Sequence, residues 1–244
     1  MSNNPNGDPG DANSIWAIVP ASGIGRRMQS EIPKQYLHIN GTPILQLTLE
    51  RLLSVDQVQG VVVALQADDK NWQRINLDTK KTVLRADGGD ERCHSVINAL
   101  RCLQQQDFFD ENQTWVLVHD AVRPCVSVLD IENLISKSMQ SESGGLLATP
   151  VRDTIKRQGN DQVVASTVDR EGLWHALTPQ CFPFKTLLDS LVQADAQGFI
   201  VTDESSAMER AGFSPGLVPG SDKNIKITRP EDLELAEQYF SKQD

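Results

Sequence analysis

The chain lacks a long hydrophobic run, is poor in aromatic residues and is short of positive charge, and each shortage closes off a class of function. Its 33 acidic residues outnumber 23 lysines and arginines, giving a formal charge of -10. That sign is wrong for general binding to nucleic acid or to an anionic membrane, so any anion held here must meet a local cluster of cations. The four cysteines, Cys93, Cys102, Cys125 and Cys181, form no Cys-x-x-Cys pair and no dense framework. A disulfide scaffold is therefore excluded and a reducing, cytoplasmic setting is expected. The four histidines lack the His-x-x-x-His spacing that puts two ligands on one helical face, so a zinc site is not expected. The opening "MSNNPNGDPGDANS" has neither the basic nor the apolar segment of a secretory signal. Residues 1–14 are expected to be a disordered polar tail on a soluble protein.

What is present is a regular alternation. Short β-rich apolar runs, "IWAIVP" at 15–20, "GVVVAL" at 60–65, "KTVLRA" at 81–86, "TWVLVHD" at 114–120 and "GGLLATP" at 144–150, are too short for buried helices, and the central three, nearly continuous, read as strands covered on both faces. Between them, "TPILQLTLERLLSV", "ERCHSVINALRCL" and "VLDIENLISKSM" place their apolar residues on one helical face. Further helices are expected near 183–195, 203–211 and 230–241, the last opened by a capping box of Thr228 and Glu231. At 39% hydrophobic content, one domain over 15–244 is expected: α/β, with a three-layer, mostly parallel Rossmann-like sheet. Ligands of such sheets bind beyond the carboxyl ends of the strands. The segment of about 151–173 breaks the pattern, reading as two strands around "QGND" with little apolar content to bury. It is expected to project as a β-hairpin arm and to pack on a second subunit.

The stretch "VPASGIGRRMQSEIPKQY" follows the first strand. Met28 holds the place where a dinucleotide fingerprint needs its third glycine, and the Gly-Lys-Ser/Thr of a Walker loop is missing. Small residues at Ala21, Ser22, Gly23 and Gly25 let a backbone approach a ligand closely and offer N–H groups to an anion. Arg26, Arg27 and Lys34 supply the charge that would neutralise phosphate. On this segment alone, a surface loop with solvated charges stays open.

In order along the chain, "VPASGIGRRM…PKQY", "DGGDERCHSV", "VLVHDAVRP", "PVRDTIKR", "TVDREGLWHALTPQ", "TDE" and "DKNIKITRPEDL" resemble the 2-C-methyl-D-erythritol 4-phosphate cytidylyltransferase family over nearly everything but the tail. The resemblance implies a nucleotidyltransferase fold and transfer of CMP from CTP to methylerythritol phosphate, with release of pyrophosphate and a requirement for Mg²⁺. It implies that Arg27, Lys34 and Lys226 act on the triphosphate and the transition state. Ala21, Ser22, Gly23, Gly25, Gly89, Asp90 and Ser95 would bind the nucleotide, with Gly89 and Asp90 at the base and Ser95 at the ribose. Asp120 and Arg123 would serve the acceptor, and Asp120 would help to hold Mg²⁺. Thr154 and Arg170 would reach the acceptor phosphate from the arm of a partner subunit in a homodimer, with Lys156 and Arg157 adding charge. Ser22 and Val122 stand where the family usually has alanine. A ribitol 5-phosphate cytidylyltransferase and a non-catalytic nucleotide sensor are the competing readings; neither nucleic acid nor a membrane is expected as a partner.

Overall fold

Successive side chains of a strand leave the backbone on opposite faces, and in the first strand, β1 (Ser14–Pro20), both faces are apolar. Ile15, Ala17 and Val19 enter one core cluster, while Trp16 and Ile18 enter another. A strand of this kind has to lie inside a sheet covered on both sides. The computed structural model describes residues 13–23 and 32–240, and the rest of the chain meets that demand.

After β1 come β2 (His38–Ile39), β3 (Thr42–Pro43), α1 (Ile44–Leu53), β4 (Val58–Leu65), β5 (Thr82–Asp87), α2 (Arg92–Gln104), β6 (Thr114–Val118) and α3 (Val128–Ser138). Then follow β7 (Gly145–Pro150), β8 (Ile155–Gln158), β9 (Val164–Val168), β10 (Trp174–Pro183), α4 (Phe184–Ala196), α5 (Glu204–Arg210), β11 (Gly216–Pro219) and α6 (Pro230–Phe240). The main sheet has seven strands in the order β11-β7-β10-β6-β1-β4-β5. Leu45, Leu49 and Leu52 of α1 and Ile131, Leu134 and Ile135 of α3 cover one face. Val96, Leu100 and Leu103 of α2 and Phe184, Leu187 and Leu191 of α4 cover the other.

β1 pairs in parallel with both β4 and β6. The chain steps outward from β1 to β4 and β5, then returns across it to β6, so the direction of winding reverses beside β1. At such a reversal the loops part and leave a crevice at the carboxyl ends of the strands.

Three features depart from the sequence reading. Ser14 belongs to β1, where its hydroxyl lies 3.0 Å from that of Thr114, so the polar tail ends before it. β10 is a ten-residue strand running antiparallel to both β6 and β7, which makes the sheet mixed. The cap of α6 is made by Asp232 and not by Glu231: Asp232 Oδ2 accepts from Thr228 N (2.8 Å), Thr228 Oγ1 (2.9 Å) and Arg229 N (2.9 Å). The helix starts at Pro230, where the sequence reading puts it, and Asp232 then holds its third position.

The arm is separate. Its neck closes with Val151 N donating to Leu173 O at 2.9 Å, and β8 and β9 form a two-stranded sheet of their own. Val163 and Val164 at its end are 60% and 62% exposed, a degree of apolar exposure that suits a surface meant to be covered.

The cap on α6 lies just after the segment that carries Lys226, which makes it a test of how that segment is fixed. Asp232→Ala is expected to lower the unfolding free energy by about 1 kcal/mol, the usual loss for a removed cap, measured by urea denaturation.

Candidate active site

Four carboxyl strand ends and one distant loop surround a cleft of about 510 Å³, lined by Ala21, Ser22 and Gly23 after β1, Gln66 after β4, Gly89 and Asp90 after β5, Asp120 after β6, and Lys34 and Lys226. A smaller lobe of about 260 Å³ opens on the other side of Asp120 and shares Arg92, Asp120 and Lys226 with the first; Arg123 and Thr178 also line it.

Each wall is fixed by a buried contact. Lys34 begins a 3₁₀ turn, Lys34–Tyr36, whose other two residues are buried. Gln35 Nε2 donates to Ala21 O (2.7 Å) and Tyr36 Oη to Asp69 Oδ2 (2.8 Å), so Lys34 stands on an anchored base. Lys226 precedes Ile227, which is fully buried and bonds through its N–H to Val122 O (2.9 Å). Val122, at the cleft wall, belongs to the same small core as Ile227 and Ala236 of α6.

The turn after β5 lies against the turn after β1. A Cβ on Gly88 would fall 2.3 Å from Ser22 Cβ, and one on Gly89 2.3 Å from His94 Cβ, so both positions need glycine. Ser22 Oγ sits 2.8 Å from Ser95 Oγ, and Gly89 N donates to Ser95 Oγ (3.0 Å). The Ser22 hydroxyl thus ties the two turns together. Ser95 is fully buried and acts from behind the wall.

Asp120 is the centre of the charge. Arg92 Nε lies 3.0 Å from its Oδ1, while Lys226 Nζ and Arg123 Nε lie 2.9 and 3.4 Å from its Oδ2. Burial works against ionisation, but the charges of Arg92, Lys226 and Arg123 outweigh it and hold the carboxyl far below the usual range. Arg92 also forks onto Glu204 at 2.6 and 3.1 Å, and Glu204 has no exposed surface. Glu204 is set by the start of α5, where Asp203 Oδ1 accepts from Ser206 N (3.1 Å) and Gln180 Oε1 from Ser205 N (2.8 Å).

Beneath Asp120 lies a neutral network. His119, fully buried, has Nε2 3.0 Å from Arg123 O and Nδ1 3.0 Å from Thr178 Oγ1. A carbonyl only accepts, so Nε2 carries the proton and Nδ1 accepts from the Thr178 hydroxyl. The hydroxyl in turn accepts from Asp120 N (3.1 Å). Burial, helped by the Arg123 and Arg92 charges against the opposing pull of the Arg123 carbonyl and Asp120, lowers the His119 pKa to about 4.

The structure therefore brings together Ala21, Ser22, Gly23, Lys34, Gly89, Asp90, Ser95, Asp120 and Lys226 around one cleft, with Arg123 at its second lobe. Gly25 and Arg27 lie outside the described residues. Thr154 and Arg170 are exposed on the arm and line neither lobe of their own chain; the Arg170 guanidinium donates to Arg152 O. Arg92, Glu204 and Thr178 were not singled out by the sequence. One signal was there to read: Arg92 is the first residue of α2, a cation at the positive end of a helix, where the dipole disfavours it.

A profile of the family described as 2-C-methyl-D-erythritol 4-phosphate cytidylyltransferase matches residues 15–242. The chain belongs to that family. A cytidylyltransferase of this description from Vibrio vulnificus is 50% identical over 230 residues, covering 94% of this chain and 96% of its own. One from Escherichia coli is 47% identical over 229 residues, covering 93% and 94%. The crystal structure of the Francisella tularensis protein of the same description superposes with a TM-score of 0.78 at 35% identity, over 93% of this chain and 99% of that one. Membership makes this a nucleotidyltransferase of non-mevalonate isoprenoid biosynthesis, on a mostly parallel seven-stranded α/β sheet. Among the described residues no helix is long and apolar enough to cross a membrane.

Two predictions follow from the buried charges. Glu204→Gln leaves Arg92 without its second carboxylate; because Arg92 keeps some solvent contact, the expected loss is roughly 2–3 kcal/mol, near the low end for a broken buried pair, read by denaturant titration. For His119, the depressed pKa means that folding stability is complete above about pH 6.5 and declines as pH falls to about 4, because only the unfolded chain takes up the proton in that window. The decline amounts to roughly 3 kcal/mol, and His119→Gln, which keeps an N–H toward Arg123 O, should show a shallower slope over the same range.

Proposed function

We propose that cytidylyl transfer takes place where the two lobes meet, with CTP in the larger and methylerythritol phosphate in the smaller. The observation that carries this is the sharing of Lys226, Arg92 and Asp120 by both lobes: a nucleotide α-phosphate and an acceptor phosphate would touch the same cations. An oxygen of the acceptor phosphate attacks the α-phosphorus, forming one P–O bond as the bond to the bridging oxygen breaks, and pyrophosphate leaves with that electron pair. No covalent enzyme intermediate is required, so catalysis consists of positioning and charge stabilisation.

Lys226 stands between the two phosphates, and Lys34 faces the triphosphate from its anchored turn. Arg27 joins them on the strength of the motif. The backbone of Gly89 and the Asp90 carboxylate present polar groups to the cytosine edge, beside Ala21, Ser22 and Gly23, while Ser95 keeps the turn in place and so bears on the ribose side. Asp120 holds Lys226 and Arg92 and, with Arg123, faces the acceptor hydroxyls.

The residues do not form a ready magnesium cage, since both Asp120 oxygens already bear cationic partners. Mg²⁺ favours substrate phosphates with few protein carboxylates, so it would enter with the triphosphate, held chiefly by phosphate oxygens. Thr154 and Arg170 would complete the smaller lobe of a partner subunit in a homodimer, with the arm as the connection.

Pyrophosphate release is the deciding measurement. Rapid release with CTP, Mg²⁺ and methylerythritol phosphate, and little with ribitol 5-phosphate, is expected; the reverse preference would move the chain to the ribitol reading, and tight CTP binding without release to the sensor. Lys34→Ala should cut kcat by about 10²–10³-fold, the loss typical of one transition-state contact. Mixing inactive Lys226→Ala and Arg170→Ala proteins should restore about one quarter of wild-type activity if the arm acts across a two-fold dimer, since half the dimers would carry one intact site. If Arg170 acts within its own chain, mixing restores nothing.

A further inference from the structure

Among the described residues, one cluster of metal-ligating side chains lies outside the cleft and stands apart from the reaction. Cys93 and His94 lie in the first turn of α2 and Asp195 in the last turn of α4. One ligand atom from each falls within 4.8 Å of the others, and His94 Nε2 is already 2.9 Å from Asp195 Oδ1. Bonds of ordinary length to a tetrahedral zinc ion place neighbouring ligands roughly 3.3–3.8 Å apart, so the widest gap closes with about 1 Å of side-chain adjustment. His94 and Asp195 are 35% and 48% exposed, leaving a way in for an ion and room for water as a further ligand, whereas Cys93 is buried.

The electrostatics agree with a cation. Asp195 sits at the negative end of α4, where an acid is disfavoured and a positive charge relieves it. Glu91 adds a second negative charge near Cys93. The same surroundings argue against a nucleophilic thiol: burial, with Glu91 and Asp195, pushes the Cys93 thiol up, away from the reactive thiolate. A bound ion supplies the positive charge that a thiolate needs, and displaces its proton. Histidine spacing could not reveal such a site, because its ligands come from helices about a hundred residues apart.

We propose that Cys93, His94 and Asp195 form a site for one soft divalent cation of the zinc type, and that its occupancy weakens nucleotide binding through the turn at 88–91. The thiolate, imidazole and carboxylate together select Zn²⁺ over Mg²⁺. The coupling has a short route: a Cβ on Gly89 would fall 2.3 Å from His94 Cβ, so the base-facing turn rests directly on a residue whose side chain would hold the ion. This second half rests on the assignment of CTP to the cleft; the first half does not.

The test uses the full, reduced chain freed of metal and titrated with Co²⁺. One cobalt per chain, with thiolate-to-cobalt charge-transfer absorption that Zn²⁺ abolishes, is expected. Cys93→Ser should lose the band and Cys102→Ser keep it. Asp195→Asn, at an exposed position where folding is not at stake, should weaken cobalt binding by at least about tenfold. Absence of the band in the wild type, its persistence in Cys93→Ser, or unchanged affinity in Asp195→Asn would overturn the site. CTP binding is then compared with and without one equivalent of Zn²⁺. A loss of affinity of at least about fivefold in the wild type but not in Asp195→Asn is expected, and equal losses or none would overturn the coupling while leaving the cobalt result standing.

Discussion

The arrangement of the cleft depends on one carboxylate. Asp120 ends β6 at the reversal of the sheet and holds Arg92 on one oxygen and Lys226 and Arg123 on the other. These partners come from α2, from a loop about a hundred residues downstream, and from the turn after β6 itself. Without a common anion, three cations this close would repel one another and spread into solvent. With it they stay at fixed distances before any substrate arrives, which is the preorganisation that makes electrostatic stabilisation of a transition state effective.

A buried carboxylate with this duty needs support of its own, and the structure supplies it in two directions. Toward α5, Arg92 passes to Glu204, whose place is set by the Asp203 cap and by Gln180 on β10. Beneath, the Thr178 hydroxyl accepts from the Asp120 N–H and donates to His119 Nδ1, while the Arg123 carbonyl fixes the His119 tautomer. Keeping His119 neutral matters here, since a protonated imidazole would add a fourth positive charge to the region and remove the acceptor that orients Thr178. β10 therefore does more than extend the sheet. It carries both Thr178 and Gln180, and running antiparallel it presents them at the carboxyl end of β6.

Much of this was legible in the sequence because the signals were local. β1, β4, β6 and β7 are short apolar runs, and a strand buried on both faces has no other reading at that length; "KTVLRA" reads the same way, but β5 lies at the edge of the sheet and only Ala86 of it is buried. The cations Lys34 and Lys226 and the carboxylate Asp120 could be named because they sit in long motifs. β10 escaped because "WHALTPQCFP" shows neither alternation nor a continuous run: its first half is largely exposed and its second buried, with a register irregularity between Ala176 and Gln180. Glu204 escaped for a different reason. An acid in the first turn of a helix is ordinary, and only the fold reveals that this one is buried against Arg92.

The placement of charge, not its sum, explains how a protein of formal charge -10 can serve anions. Lys34, Arg92, Arg123 and Lys226 line the two lobes together with Asp90, Glu91, Asp120 and Asp203, four charges of each sign, and three of the four cations gather on Asp120. Removing Asp120 would leave a positive excess and strengthen ground-state attraction for phosphate, but attraction that is equal for substrate and transition state does not accelerate the chemistry. Asp120 lowers the gross attraction and fixes its direction. Under the proposed assignment Lys226 would have two competing partners, the carboxylate that holds it and the incoming phosphoryl oxygens, and the contact that grows as charge builds on the α-phosphoryl group would be the one that catalysis uses.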